Sequence, residues 1–220
     1  MKSEVIHSLG SDLDSAVVVI GAGGHAKVAI EALRFSGWRV IGCTDFDPSP
    51  RTVVGAELLG GDEILPDLRS AGIRYAFVAL GNNNLRQARG EDLLNEGFEL
   101  PAAIGPNCSI SPTAKLGRGV AIFGGAVINA DAQIEDLAII NTNASVDHDC
   151  VVGTAAHVAP GSALAGCVKI GNRTFLGAGT TVIPGVTIGA DCMIGAGSVV
   201  VRDLPDLVTA LGVPARVRSS

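Results

Sequence analysis

Residues 140–164 read INTNASVDHDCVVGTAAHVAPGSAL, and an aliphatic residue returns at every sixth position of this stretch. The same spacing extends in both directions without a miss, and small residues (Cys, Ala, Val, Ser or Thr) occupy the fifth position of each hexad from 108 to 198. The aliphatic positions are Ile104, Ile110, Leu116, Ile122, Ile128, Ile134, Ile140, Val146, Val152, Val158, Leu164, Ile170, Leu176, Val182, Ile188, Ile194 and Val200.

A period of six is not a helical period. It is typical of short strands joined by tight turns, with three hexads to a coil and the coils stacked into a prism. Residues 18 apart then lie above one another at about 4.8 Å, the spacing of hydrogen-bonded strands. The pattern predicts a left-handed parallel β-helix over residues 104–220, with a C-terminal tail. Cys108, Cys150 and Cys192 fall at the fifth position, where they would fill the crowded corner as inert side chains.

Residues 16–103 predict a different domain, an α/β fold of the Rossmann-like half type with a small parallel sheet. Three apolar runs predict strands, and two segments with apolar residues at helical spacing predict helices. The strands are AVVVIGAGG (16–24), WRVIGCTD (38–45) and YAFVALGNNN (75–84). The helices are His25–Phe35 and Leu85–Leu94. A ligand of such a sheet binds at the carboxyl ends of the strands, which here are Gly21–His25, Asp45–Asp47 and Gly81–Asn84.

The first of these turns, GAGGH (21–25), is not the dinucleotide fingerprint G-x-G-x-x-G, because Ala26 stands where the third glycine belongs. Backbone N–H groups at a helix N-terminus favour anions, so a phosphate-binding turn is one interpretation. A tight strand-to-helix turn without a ligand is the other.

Composition narrows the class of protein. The 220 residues are 47% hydrophobic but only 4% aromatic, with 29 glycines, which indicates an interior of small and β-branched side chains. A net charge of −6 argues against a nucleic-acid partner.

Residues 1–15 read as a lead-in without a signal-peptide core, and no window is long enough to span a membrane. Five cysteines without metal-ligand spacing predict reduced thiols in a cytoplasmic protein and no metal site.

One histidine in the repeat array raises a chemical question. His148 is flanked by Asp147 and Asp149 within a stretch that is otherwise small and apolar. It is either a solvated turn residue or a catalytic base. A histidine titrates near neutral pH and suits proton removal, and a neighbouring carboxylate can orient it.

Six motifs together carry a resemblance to a known family. They are IGAGGHAKV (20–28), CTDFD (43–47), ALGNN (79–83), NTNASVDHDCVVG (141–153), HVAPGSALAGCVKIG (157–171) and GVPAR (212–216). The chain resembles the bacterial nucleotide-sugar acetyltransferases of the hexapeptide-repeat superfamily. The subgroup contains N-acetyltransferases of UDP- or GDP-linked 4-amino sugars, of perosamine or bacillosamine type, and the related sialic acid O-acetyltransferases. Such enzymes use acetyl-CoA and serve surface polysaccharide or glycan synthesis.

The resemblance implies a role for each matching residue. His148 would be the general base and Asp149 the acid that orients it, while His157 would hydrogen-bond the coenzyme A arm. Backbone contacts to that cofactor would come from Gly166, Ala178 and Ala196. The nucleotide sugar would be held by Gly23, Gly24, His25, Asp45 and Gly81. Phe46 stands where some relatives carry a second aspartate, so the choice between Asp45 and Asp47 stays open.

The spacing of the two array histidines predicts an assembly. His148 and His157 are nine residues apart, which is half a coil, so they lie on different sides of the prism. Both can serve one site only if that site lies between subunits. We therefore expect a homotrimer with three sites, each using His148 of one chain and His157 of the next.

Three other functions compete with this interpretation. A sialic acid O-acetyltransferase would use the same cofactor and the same base. A zinc enzyme of the carbonic anhydrase type uses the same β-helix, but it needs three histidine ligands and the array holds two. A non-catalytic coil protein would need neither the α/β domain nor His148.

Overall fold

The computed structural model describes residues 13–47, 49 and 51–218. It opens with an α/β domain in which strands and helices alternate. Its strands are β1 Ala16–Ile20, β2 Arg39–Thr44, β3 Thr52–Val53, β4 Ala56–Gly60 and β5 Tyr75–Val78; its helices are α1 Gly24–Phe35, α2 Leu65–Ser70 and α3 Asn83–Asn95, with a 3₁₀ turn at Asp62–Ile64. The predicted lead-in segment 1–15 lies outside the described residues except for 13–15.

The sheet of this domain has the order β3-β4-β2-β1-β5. Strand β1 is fully buried and pairs in parallel with both β2 and β5, which confirms the predicted parallel sheet. Helix α3 begins before the predicted Leu85, because the Asn82 side chain accepts the Leu85 N–H and caps the helix. The β3–β4 hairpin, the 3₁₀ turn and α2 were not predicted, since their elements are too short to show a period.

The second domain consists of two-residue strands that repeat every six residues. They are β6 Ala103–Ile104, β7 Ser109–Ile110, β8 Lys115–Leu116, β9 Ala121–Ile122, β10 Val127–Ile128, β11 Gln133–Ile134, β12 Ile139–Ile140, β13 Ser145–Val146, β14 Val151–Val152, β15 His157–Val158, β16 Ala163–Leu164, β17 Lys169–Ile170, β18 Phe175–Leu176, β19 Thr181–Val182, β20 Thr187–Ile188, β21 Met193–Ile194 and β22 Val199–Val200. An antiparallel pair, β23 Thr209–Leu211 and β24 Arg216–Val217, ends the stack.

These strands form three sheets, which are the three faces of a left-handed β-helix. The first face runs β6-β9-β12-β15-β18-β21-β23-β24, the second β7-β10-β13-β16-β19-β22, and the third β8-β11-β14-β17-β20. Apart from the pairings of the closing strands β23 and β24, each pairing is parallel and joins residues 18 apart, such as Ile128 with Val146. The period of six and the coil of three hexads are thereby confirmed.

The interior of the stack is filled as the hexad pattern predicts. The aliphatic residues of the first position form one continuous buried cluster from Ile122 to Val200, with small fifth-position residues such as Ala144 and Cys150 between them. At the fourth position the backbone turns with positive φ, as at Asn143 (φ 55°) and Asp149 (φ 59°). Glycine, asparagine and aspartate tolerate this conformation, and they are frequent there.

The α/β domain packs on the first face of the β-helix. Ala29 and Ile30 of α1 share a buried cluster with Phe123 and Ile139 of that face. The domain therefore covers one side of the prism, and the described residues leave the second and third faces uncovered. None of the described helices is long and apolar enough to cross a membrane.

Candidate active site

The site begins at the turn between β13 and β14, where the second face meets the third. His148 occupies the third position of its hexad, and its side chain is 55% exposed. Its Nδ1 lies 2.8 Å from Oδ2 of Asp149, the next residue. Since Nδ1 is held by the carboxylate, Nε2 is the ring nitrogen left to face a substrate.

A second carboxylate acts on the same ring. The Asp147 carboxylate accepts the His148 backbone N–H and the Asn129 amide, each at 2.8 Å. These two bonds, that of Asn129 first, lower the pKa of Asp147 and keep it ionised. The hydrogen bond that the His148 ring donates to Asp149, and then the charge of Asp147, raise the pKa of His148 above its usual value. The flanking acids seen in the sequence therefore make this histidine more basic.

Gly166 lies one coil from His148, directly against the imidazole. A Cβ added at Gly166 would approach Cε1 and Nε2 of the ring to 2.6 Å, so a side chain there would displace the ring. The N–H groups on either side, of Ala165 and Cys167, donate to carbonyls of neighbouring coils. The N–H of Gly166 is not part of that ladder. Within the described part of the chain, the residue that touches the imidazole thus has a backbone N–H with no backbone acceptor.

Ala178 and Ala196 occupy the same third position of their hexads, at the edge between the first and second faces. Their N–H groups are likewise outside the coil-to-coil ladder. The two edges carrying Gly166 and Ala178 therefore border the second face from opposite sides. Two shallow depressions of about 300 and about 520 Å³ follow this face, and both are lined by Asn129 and Asp147.

His157 lies on the first face, beneath the α/β domain, and so on a different side of the prism from His148. Its Nε2 is 3.0 Å from the Asn141 amide nitrogen. The Asn141 oxygen accepts the Thr142 N–H at 2.8 Å, so the amide nitrogen is the group that donates to His157. Nδ1 then carries the proton, and it is buried without a hydrogen-bond partner.

His25 packs beside His157 in the same buried pocket, with ring centroids 6.3 Å apart. The pocket is walled by Phe123, 5.3 Å from His25, and Phe175, 5.1 Å from His157. Burial first, and then the nearby charge of Arg86, lowers the pKa of His25 to about 4 and that of His157 to about 3. Both imidazoles are therefore neutral at physiological pH, and each keeps one buried ring nitrogen without a partner.

The predicted nucleotide-sugar residues do meet at one edge of the parallel sheet. Gly23 and Gly24 start α1 with no side-chain cap and with open space where a Cβ would lie. Gly81 follows β5 and also has open space. Asp45 follows β2, but its Oδ2 accepts the Ala22 N–H at 3.0 Å and its Oδ1 accepts the Asp47 N–H at 3.1 Å. The Asp45 carboxylate therefore holds the loop in place.

Arg86 was missed by sequence reasoning, because a buried arginine on a helix has no sequence signature. It is 1% exposed, and burial lowers its pKa to about 10. Its guanidinium donates to the Leu137 oxygen at 2.8 Å, the Ala155 oxygen at 2.7 Å and the Leu80 oxygen at 2.9 Å. One side chain thus joins the loop after β5 to two turns of the β-helix.

One group of described residues could hold a metal ion. Ligand atoms of His148, Asp149 and Cys167 lie within 4.8 Å of one another, and all three residues are exposed. The group contains one histidine, where a carbonic anhydrase type of site needs three. A metal there would engage the His148 imidazole or the Asp149 carboxylate, which otherwise bond to each other.

Two family models match the chain. The PglD N-terminal domain matches residues 16–93, and the bacterial transferase hexapeptide (six repeats) matches residues 167–202. The first match covers the α/β domain and the second covers the later coils of the β-helix.

Solved structures match over nearly the whole chain. PerB from Caulobacter crescentus, in complex with CoA and GDP-perosamine, is 53% identical, with 96% of this chain and 99% of that chain covered and a TM-score of 0.91. A perosamine N-acetyltransferase from the same organism, in which one histidine is replaced by asparagine, is in complex with the same two ligands. It is 53% identical, with 97% of this chain and 99% of that chain covered and a TM-score of 0.92. The acetyltransferase domain of PglB from Neisseria gonorrhoeae, with acetyl coenzyme A, is 34% identical, covers 93% and 99%, and has a TM-score of 0.87.

Proposed function

The chain belongs to the hexapeptide-repeat family of acetyl-CoA-dependent nucleotide-sugar N-acetyltransferases, and from this premise we propose that it acetylates the 4-amino group of a GDP-linked 4-amino-4,6-dideoxy sugar of the perosamine type. The observation that carries the chemistry is the exposed His148–Asp149 pair, held at 2.8 Å with Gly166 against the imidazole. Two solved relatives that are 53% identical to this chain have CoA and GDP-perosamine bound, which favours this acceptor over sialic acid and over a UDP-linked sugar.

In the proposed reaction His148 is the general base. Its Nε2 takes a proton from the sugar amine as the nitrogen attacks the thioester carbonyl carbon. A C–N bond forms and the carbonyl oxygen becomes an oxyanion. The C–S bond then breaks, and the leaving thiolate of coenzyme A takes the proton from the imidazolium. Asp149 fixes the tautomer and stabilises the protonated ring.

The thioester is proposed to lie along the second face. There the free N–H of Gly166 is beside the imidazole, where it can donate to the oxyanion. The N–H groups of Ala178 and Ala196 border the same face and suit amide oxygens of the coenzyme A arm. Small outward residues, such as Ser145 and Ala163, leave room for that arm.

The nucleotide sugar is proposed to bind along the carboxyl edge of the α/β sheet. The uncapped N-terminus of α1 at Gly23 and Gly24 suits the diphosphate, since its N–H groups and the helix dipole favour negative charge. Gly81 gives the sugar open space. His25 contributes from the first turn of α1, directly after the glycine pair, where its ring packs against that of His157. Asp45 acts by holding the loop.

These residues complete one site only if chains assemble. His148 lies at the edge of the second and third faces, whereas the nucleotide loops and His157 lie at the first face. We propose a homotrimer in which His148 of one chain works with the nucleotide loops and His157 of the next. We also propose a cytoplasmic enzyme, consistent with its free cysteines, whose product feeds surface polysaccharide synthesis.

A thiol-release assay tests the function. Acetyl-CoA is offered with GDP-perosamine, with UDP-linked 4-amino-4,6-dideoxy sugars and with free sialic acid. We expect turnover with the GDP-linked amine and little with the others. Turnover restricted to sialic acid would move the enzyme to the O-acetyltransferase branch, and turnover restricted to a UDP-linked amine would overturn the nucleotide assignment alone.

A further inference from the structure

Phe46 has no packing role in the described structure. Its side chain is 97% exposed, more than that of any other large apolar residue described. It stands between Asp45 and Asp47 in the loop after β2. An apolar ring exposed to water adds nothing to the free energy of folding. The exposure of Phe46 therefore does not stabilise this chain.

The loop that carries Phe46 is nevertheless tied down on both sides. Asp45 accepts the N–H groups of Ala22 and Asp47, and Arg51 lies 3.3 Å from its Oδ2. Asp47 accepts the Ser49 N–H at 3.0 Å and pairs with Arg51 at 3.2 Å. Both carboxylates are therefore occupied within the loop. The phenyl ring between them is the group left to meet a ligand.

The bond from Ala22 to Asp45 also joins this loop directly to the glycine turn before α1. Strands β1 and β2 are neighbours in the sheet, so Phe46 stands beside the proposed diphosphate site. In open parallel sheets a nucleotide lies across the carboxyl edge, with its phosphates at the first helix and its nucleoside over the end of the second strand.

At the β5 end, the same carboxyl edge of the sheet lies against the β-helix. The loop after β5 is joined to it by Arg86 and by the Asn83 amide, which donates to the Arg173 oxygen at 2.7 Å. A nucleotide sugar laid along the edge therefore has its nucleoside on the Phe46 side. Its sugar lies on the β-helix side, where the acetyl transfer takes place.

We propose that Phe46 is the stacking platform for the nucleobase and that it favours a purine over a pyrimidine. This rests on the proposed function and names the residue that selects the nucleotide. An exposed phenyl face stacks on any base, but the two fused rings of guanine cover more of it than the single ring of uracil. The negatively charged flanking residues do not compete, since each is already paired.

The test is calorimetric titration of the full-length protein with GDP and with UDP, for the wild type and for Phe46→Ala. Because Phe46 buries almost no surface, the variant should keep its melting temperature. We expect the wild type to prefer GDP, and Phe46→Ala to bind GDP about tenfold more weakly while UDP binding changes by about threefold or less. Phe46→Trp should retain the affinity for GDP, since it retains an aromatic face.

Phe35→Ala is the matched control, since Phe35 is also exposed, at 63%, but stands at the far end of α1. It should bind GDP as the wild type does. Unchanged GDP binding by Phe46→Ala would overturn the stacking role, and an equal loss for GDP and UDP would overturn the purine preference. A wild-type protein that binds neither nucleotide would instead overturn the proposed function itself.

Discussion

At the scale of single residues, the chemistry depends on which atoms of His148 are already engaged. Its Nδ1 is held by Asp149, and its backbone N–H is held by Asp147. Both carboxylates favour the protonated ring, so the base is strengthened while Nε2 stays free. His157 differs because burial keeps it neutral, which suits a hydrogen-bond donor and not a proton acceptor.

Replacing Asp149 by Asn should move the pH profile of the reaction. The base works deprotonated, so kcat/KM rises with pH through the pKa of His148. The Asp149 hydrogen bond raises that pKa, and its loss should shift the acidic limb to lower pH and lower the plateau of kcat about tenfold. Asp131→Asn is the control, since Asp131 has the same backbone conformation (φ 59°) without a neighbouring histidine. An acidic limb that stays in place would contradict the role of Asp149.

Gly166→Ala should inactivate the enzyme without unfolding it. The added Cβ would lie 2.6 Å from the His148 ring, and this exposed side chain can move away at little cost in stability. A displacement of about 1 Å can cost about 100-fold in rate, so we expect kcat/KM to fall by about that factor. Gly124→Ala, at the same hexad position but with its nearest contact at 3.4 Å, is the matched control. Equal activity of the two variants would contradict the proposal.

At the scale of elements, α3 docks on one edge of the β-helix through repeated backbone carbonyls. Leu137, Ala155 and Arg173 are stacked 18 residues apart, each with positive φ. Their oxygens accept from Arg86 Nε, Arg86 Nη2 and the Asn83 amide respectively. Helix α3 is thus fixed to the β-helix by three hydrogen bonds, of which the two from Arg86 are charge-assisted.

Arg86→Met should loosen the two domains from each other. Two buried carbonyl oxygens of the β-helix would lose a charged donor, at a cost of about 3 kcal/mol in the free energy of unfolding. Calorimetric melting should then show the α/β domain unfolding earlier, and KM for the nucleotide sugar should rise more than KM for acetyl-CoA.

Arg89→Met is the control on the same helix, because the described ion pairs of Arg89, with Asp62, Asp92 and Glu96, all lie inside the α/β domain. It should change neither KM. If Arg86→Met behaved in the same way, the docking role of Arg86 would be wrong.

At the scale of the whole molecule, one chain carries the two halves of the proposed site on different faces of the prism. The α/β domain covers the first face, while His148 stands where the second and third faces meet. An assembly of copies would bring the half-sites of neighbouring chains together, and a closed ring of three would complete three sites.

Mixing two inactive variants tests this assembly. His148→Ala removes the base, and Gly23→Asp sets a carboxylate against the diphosphate while capping α1 favourably. Trimers refolded from an equal mixture should regain about a quarter of the wild-type activity, because that share of neighbouring pairs combines the two intact halves. Gly23→Ser, which caps without charge, should retain activity. A mixture without activity, or a monomeric mass in light scattering, would overturn the proposed site.

The sequence by itself determined the β-helix and the α/β domain, and it singled out His148 as the candidate base. A strict period of six can be satisfied only by short stacked strands, so Ile104–Val200 specify the coil without knowledge of any contact. The parallel sheet followed from buried apolar runs that alternate with helices. The period also predicted that residues 18 apart stack, and Gly166 lies against the ring of His148 as that rule requires.

Only the tertiary structure decided how the two domains meet. The pocket of His25 and His157, the docking of Arg86 on carbonyls of distant coils and the closed loop around Phe46 join residues with no common period. The sequence pattern of a helix or strand shows which of its faces is apolar, but it does not show which other element packs against that face. Side-chain hydrogen bonds and pKa values depend on that covering, and so they were out of reach until the packing was known.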